Sequence, residues 1–322
     1  SWWRIFYYST VLFGICLIFA NEIIVQTRRA EDSQVVAQRL SLFTLSWNTM
    51  WNMWLFNIHS TYVLNDFHYI MLVLPSIMFF IICIVFEITL LHICWKARNS
   101  ALAAQNPEEM RRQIIIFYLK FYITYIIAVS LSDFIFSNSL VLVLVNGLVW
   151  IPQIIENVQN RARNVPYPFF WISLSFSQGF MPAYFLLFKT NIFEIKNSPR
   201  WAWVLVFMHM ISILILYCQK KFGSRFFIPQ KFRGCDEYKF HRVSNDLELD
   251  ADKDWAICLY SLSENQGIDQ SQREPEIKQY MQTPWGHNFH PYCLKTWMLQ
   301  KLEWPSWRTQ IPPIEFDEDD YN

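Results

Sequence analysis

Seven apolar stretches, each about long enough to cross a bilayer, constrain this 322-residue chain more than any other feature. A span needs roughly 20 apolar residues, and the stretches at 5–25, 42–64, 69–94, 114–131, 139–157, 168–188 and 201–218 meet or approach that length. In hydrocarbon the backbone N–H and C=O groups must be satisfied within the segment, so such stretches read as helices. The expectation is an all-α multi-pass membrane bundle over residues 1–221. The second stretch is the weakest, interrupted by Asn48, Asn52, Asn57 and His59. The fifth is short and carries Pro152 and Gln153.

Basic residues set the expected orientation. Arg28, Arg29 and Arg39 fall between stretches one and two, Lys96, Arg98, Arg111 and Arg112 between three and four, and Arg161 and Arg163 between five and six. Lys220, Lys221 and Arg225 follow the seventh, whereas 65–68 and 132–138 contain no Lys or Arg. Lys189, Lys196 and Arg200 after the sixth are a partial exception. The pattern predicts a lumenal N-terminus and a cytosolic C-terminus. Residues 222–254, polar and carrying Pro229 and Gly234, read as a cytosolic linker, and 314–322 as a solvated acidic tail. The formal net charge is +0, so no basic field exists to attract nucleic acid. Trp3, Trp95, Trp150, Trp171 and Trp201 lie near stretch ends, as an interfacial belt would. Trp47, Trp51 and Trp54 do not.

Ionisable groups inside a membrane are costly and mark function by default. Glu22, Asp133 and Glu156 are close enough to the interfaces to snorkel. His59 and Glu87 lie deeper and are candidates either for contact with a client helix or for interhelical bonds that hold the bundle together. Pro152-Gln153, followed by Glu156 and Asn157, is similar to the PQ-loop of small-solute transporters. Those carry two such repeats, and the second Pro-Gln here, Pro229-Gln230, falls in the linker.

Residues 255–313 carry a different signal. Cys258, His287, His290 and Cys293 share an eight-position frame with Trp255, Trp285, Trp304 and Trp307. With Cys at those four tryptophans the frame reads C-x2-C-x26-C-x-H-x2-H-x2-C-x10-C-x2-C, the spacing of a cross-braced RING-H2 zinc domain. One Zn(2+) would then sit on positions 255, 258, 290 and 293, and a second on 285, 287, 304 and 307. Indole has no lone pair free for a metal. As written, the first site keeps Cys258, His290 and Cys293, and the second keeps His287 alone. Three accounts stand beside one another: drift of a dead RING, tryptophans packing a new core, or UGA-coded cysteines translated as tryptophan. The third yields this one substitution and raises the tryptophan count, which is 15.

Leu40–Arg98, with Phe86-Glu87 and Cys94-Trp95-Lys96-Ala97-Arg98, resembles the transmembrane region of the fungal Dsc-complex RING-H2 ubiquitin ligases, and the plant FLYING SAUCER ligases are similar. Trp150–Asn157, Phe222–Pro229 and the zinc frame extend the resemblance over most of 40–313. It implies a seven-span E3 ligase of Golgi and endosomal membranes, acting with a ubiquitin-conjugating enzyme and ubiquitin on membrane-protein clients within a Dsc-like complex. It also implies that Ile257, Trp297 and Pro305 form the groove for the conjugating enzyme, and that Arg308 is the cationic linchpin between that enzyme and ubiquitin. Such ligases carry a lumenal N-terminal domain, so the chain reads as the C-terminal part of a longer one. A PQ-loop-like transporter and a non-catalytic degenerate-RING scaffold remain the alternatives.

Overall fold

The computed structural model describes residues 2–100, 102, 106–163, 166–229, 241–244, 278–283, 288–289 and 291–300. The chain forms two units, Ser1–Asp32 with Val36–Phe226, and Ser33–Val35 with Phe227–Asn322.

The regular elements described in the first unit are all helical. Its elements are α1 (Trp2–Asp32), α2 (Gln34–Arg39), α3 (Leu42–Asn65), a 3-10 segment (Phe67–Leu72), α4 (Val73–Ile81), a π-helical turn (Ile82–Glu87) and α5 (Ile88–Arg98). There follow α6 (Pro107–Ser130), α7 (Ser132–Ser137), α8 (Ser139–Gly147), α9 (Ile151–Gln159), α10 (Pro168–Leu187) and α11 (Pro199–Phe222). Local chemistry sets several starts. The Ser41 hydroxyl accepts the Thr44 N–H, and the Asn106 and Asn138 side chains accept first-turn N–H groups of α6 and α8. Pro107, Pro168 and Pro199 open their helices, where the missing N–H costs nothing. Pro152 likewise lies in the first turn of α9, so the fifth stretch is two helices with a break at 148–150 rather than one kinked helix.

Five helical stretches are long and apolar enough to cross a membrane: Trp2–Asp32, Phe67–Arg98, Pro107–Ser130, Ser139–Gln159 and Pro199–Phe222. Two of the seven stretches expected from sequence are not among them. The segments at 42–64 and 168–188 are helices of 24 and 20 residues, α3 and α10, but both fall outside that group. The reason is composition, since polar residues lower the hydropathy of both helices. Asn48, Asn52 and His59 of α3 and Ser173, Ser175, Ser177 and Gln178 of α10 are buried, so these two helices turn polar side chains toward their neighbours.

The bundle inverts the usual distribution of a water-soluble protein. Asn48, Asn52, Glu87, Asn146, Gln153, Asn157, Gln178 and Gln219 are enclosed, whereas Ile115, Ile126, Phe176, Trp203, Phe207 and Met210 are exposed. Outward apolar and inward polar residues suit a lipid solvent. Helix α10 packs against α1 and α11, α3 against α4, and α11 against α8. Helix α6 is the outlier, with Phe121 its one buried residue. The tryptophans correct another expectation. Trp3 is exposed, but Trp95, Trp150 and Trp171 are core residues, and Trp150 Nε1–H donates to Ser175 Oγ at 2.8 Å. The unexplained Trp51 and Trp54 stack on each other, and Trp54 stacks on Phe136.

The second unit contains an antiparallel sheet in the order β1 (His241–Ser244), β2 (Lys278–Gln282), β3 (Asn288–Phe289), followed by α12 (Pro291–Gln300). Met281 pairs with Phe289, both are buried, and α12 packs against β2. Leu294 and Met298, four apart on one face of α12, are fully enclosed. Residues 230–240 and 245–254 of the expected linker, and the acidic tail at 314–322, lie outside the described residues.

Candidate functional site

Of the zinc frame and its groove, the described residues include Cys293 and Trp297, four apart on α12 and both half-buried. Trp255, Cys258, Trp285, His287, His290, Trp304 and Trp307 lie outside the described residues, as do Ile257, Pro305 and Arg308. The donor set can still be tested by its chemistry. A structural zinc takes four N or S ligands in a closed tetrahedron. Tryptophan offers an N–H donor and no acceptor, so the set His287, Trp285, Trp304 and Trp307 does not fit a zinc ion as written. Cys258, His290 and Cys293 fall one ligand short.

Inside the membrane unit the structure assembles three polar clusters. The first centres on His59, enclosed between α1 and α3. Its Nδ1–H donates to the Leu55 carbonyl at 2.7 Å, which makes Nε2 the acceptor for the Tyr8 hydroxyl at 3.0 Å. The Tyr8 ring stacks on the imidazole, and Phe79 and Phe193 close around it.

The second cluster centres on Glu87, the last residue of the π-helical turn. Its Oε1 accepts from Asn52 Nδ2 at 2.6 Å and also from Asn48 Nδ2. Asn48 Oδ1 in turn accepts from Gln178 Nε2 at 2.5 Å, which joins α3, the π turn and α10 in one network. His59 and Glu87 are 0% and 3% exposed, so the expectation of a client contact at these two residues meets a structure that encloses both. Burying them satisfies polar groups that lipid could not.

The third cluster absorbs the Pro-Gln motif. Gln153 Oε1 accepts the Ser41 N–H at 2.8 Å, and Nε2 donates to the Arg39 carbonyl at 3.1 Å and to Asn157 Oδ1 at 2.9 Å. Asn157 Nδ2 donates to Gln219 Oε1, and Gln219 Nε2 reaches the Ile154 and Ser224 carbonyls. Beside it, Arg98 pairs with Glu156 at 2.9 Å and donates to the Leu40 carbonyl. Gln153 therefore ties α2, α3, α9 and α11 together, a structural duty that needs no solute. Glu22 accepts from its neighbour Asn21.

Sequence reasoning missed Tyr8, Gln178 and Gln219. Asn48 and Asn52 were visible through their four-residue spacing, which puts both on one helix face. Nothing local marks Gln178 as their partner, 130 residues from Asn48.

Comparison with known proteins adds to this geometry. The family model described as "Transmembrane E3 ligase/DUF2921 transmembrane domain" matches residues 1–232. The transmembrane E3 ubiquitin-protein ligase FLY2 of Arabidopsis thaliana is 25% identical over 315 residues, covering 96% of this chain and 54% of its own. FLY1 of the same plant, also a transmembrane E3 ubiquitin-protein ligase, is 29% identical over 236 residues, 73% of this chain and 40% of its own. The DSC E3 ubiquitin ligase complex subunit 1 of Schizosaccharomyces pombe is 28% identical over 173 residues, 51% of this chain and 25% of its own. The chain thus spans about half the length, or less, of these relatives. No solved structure matches it.

Proposed function

The chain belongs to the transmembrane E3 ligase/DUF2921 family, and on that premise we propose that it is the membrane and RING-H2 portion of an E3 ubiquitin ligase acting on membrane proteins. The observation that carries the reading is the pairing of a family-matched bundle at 1–232 with the eight-position frame at 255–307. In this reading α3 and α10 also cross the bilayer, making seven spans. Their buried polar residues face the bundle interior, and Phe43, Phe169 and Phe176 face outward. The N-terminus is then lumenal and the frame cytosolic, in Golgi or endosomal membranes and in a complex like that of the DSC relatives.

The reaction asked of the frame is one of positioning. A lysine amine of the client attacks the thioester carbonyl of the loaded conjugating enzyme. The C–N bond of the isopeptide forms, the C–S bond breaks, and the enzyme's thiol leaves with the proton balance made up by solvent. Ile257, Trp297 and Pro305 would hold the conjugating enzyme, and Arg308 would fix ubiquitin in the attack-ready pose, so the gain comes from orientation. Trp297 is half-buried on α12.

The test is to prepare the full chain with Cys at 255, 285, 304 and 307 and again with Trp, in detergent, and to measure zinc per chain and discharge of ubiquitin from a loaded conjugating enzyme. Two zinc ions and discharge with Cys, and neither with Trp, is the expected result. Lack of discharge from both, with the bundle folded, would overturn the ligase reading. The four tryptophans favour the scaffold as a second reading, and UGG codons at all four positions would decide for it.

A further inference from the structure

Trp47, Met50, Trp51, Trp54, Ile58 and Tyr62 fall on one face of α3, by the three- and four-residue spacing of a helix. All six border empty space. Trp47, Met50, Trp51 and Trp54 line a pocket of about 430 Å³, and Trp54, Ile58 and Tyr62 line a second of about 660 Å³. The two pockets share Trp54 and Phe136, whose rings stack at 4.2 Å. Together they follow α3 for about 22 Å, at 1.5 Å per residue from 47 to 62.

The groove exists because α6 covers α3 incompletely. Tyr125 and Ala128 of α6 line it, yet Phe121 is the one buried residue of that helix. Asn57 Nδ2 donates to the Tyr125 hydroxyl and so ties the two helices at one point. The groove is not sealed. Trp47, Met50, Tyr125 and Phe136 are half-buried, and the neighbouring Ile126, Ile127 and Phe134 face outward.

Its polar groups are as particular as its shape. Trp47 Nε1 and Trp51 Nε1 are buried and have no hydrogen-bond partner, and Trp51 is 6% exposed as a whole. Indole nitrogen can only donate, so each calls for an acceptor. The two indoles are four residues apart, neighbours on one helix face, and both line the first pocket.

These demands select an occupant. A helix is too wide. About 430 Å³ along the roughly 10 Å from Trp47 to Trp54 is a cross-section of about 40 Å², against about 80 Å² for a helix 10 Å across. A water could accept from an indole, but an apolar groove of this length stays dry and would remain unfilled. An acyl ester meets both demands, since its oxygens accept and its chain is hydrocarbon. The levels also agree. Trp47 and Trp51 lie about 7 and 13 Å from the start of α3, and a membrane's hydrocarbon is about 30 Å thick. Trp47 is therefore close to the boundary where acyl chains begin, and the chain runs inward toward Tyr62.

We propose that this face of α3 holds one acyl chain of a glycerophospholipid between α3 and α6, with ester oxygens accepting from the Trp47 and Trp51 indoles. The chain supplies packing that the side chains of α6 do not. The proposal rests on α3 crossing the bilayer, as read above, and not on ubiquitin transfer.

The test reconstitutes the full chain in phosphatidylcholine vesicles containing phosphatidylcholine with a diazirine on its acyl chain. Irradiation and peptide mapping locate the label, and native mass spectrometry of the detergent-extracted chain counts retained lipid. Label should concentrate on 47–62 and 125–136 relative to the outward residues Trp203, Phe207 and Met210 of α11, with one phosphatidylcholine retained per chain. Ala128→Trp fills the groove from α6 and should cut retention roughly tenfold or more. Trp47→Phe with Trp51→Phe keeps the rings, removes both N–H groups and should weaken retention about tenfold. Even labelling of α3 and α11, or no lipid on folded wild type, would overturn the site. Label on Phe43 without label in the groove would overturn the groove and leave the span, whereas an unlabelled α3 would overturn the span as well. Undiminished retention by the double Phe variant would overturn the indole contacts. Stoichiometric displacement of the lipid by a transmembrane peptide of about 20 residues would give the groove to a helix instead. Should Ala128→Trp fail to fold, the wild-type label map decides.

Discussion

Gln153 and Glu87 are both buried in the same bundle, yet every polar atom of Gln153 has a partner while Glu87 Oε2 has none. The two layers hold helices together by different means. Around Gln153 the side chain's own donors and acceptors are all matched, and backbone groups take part. Around Glu87 the bonds run between side chains, and the surplus is all acceptor. A fully satisfied network rigidifies the structure, and an unpaired buried acceptor carries a desolvation cost.

Four substitutions test that contrast, taken from the largest expected effect. Gln153→Leu strands the Ser41 N–H, the Arg39 carbonyl and one acceptor of Asn157, and should cost about 3 kcal/mol. Unfolding of the purified chain in detergent would measure it, and a loss comparable to a surface substitution would break the picture of a matched layer. Asn157→Leu removes one acceptor and one donor and should cost about 2 kcal/mol, with a coupling to Gln219→Leu of about 1 kcal/mol in a double-mutant cycle. Additive effects there would separate Gln219 from the network.

Tyr8→Phe deletes the hydroxyl that donates to His59 Nε2 while keeping the stacked ring, and should cost about 1 kcal/mol. The same unfolding assay reads it. Glu87→Gln should be of opposite sign. The new amide can donate to an orphaned oxygen, so the variant should be more stable than wild type by about 1 kcal/mol. A loss as large as that of Gln153→Leu would show that the two layers are alike after all.

The helical character of the first unit was legible because hydrocarbon leaves the backbone few options. The sequence also exposed Asn48, Asn52, His59 and Glu87, since polar groups stand out in apolar runs. Asn48 and Asn52 weakened the second stretch as a span, and α3 does fall outside the five apolar stretches, but the sequence did not show that their amides hold Glu87 in the interior. Gln153 resembled a transporter signal because a local motif cannot show that its partners are Ser41, Arg39 and Asn157. Trp150 looked interfacial by its place near a stretch end, yet packing put its N–H on Ser175.

Two things were determined by the sequence alone: a chain of membrane-length helices, and a zinc-type frame in which four ligand positions read tryptophan. Both are set by period, length and donor chemistry, which are properties of neighbouring residues. The partner of each buried polar group was decided only by the tertiary structure. Gln178 meets Asn48 across 130 residues and Tyr167 meets Gln26 across 141, and such pairings depend on which helix faces are brought together. Hydrogen bonds act over about 3 Å, so the difference between the matched Gln153 side chain and the acceptor-rich layer at Glu87 exists only once the helices have packed.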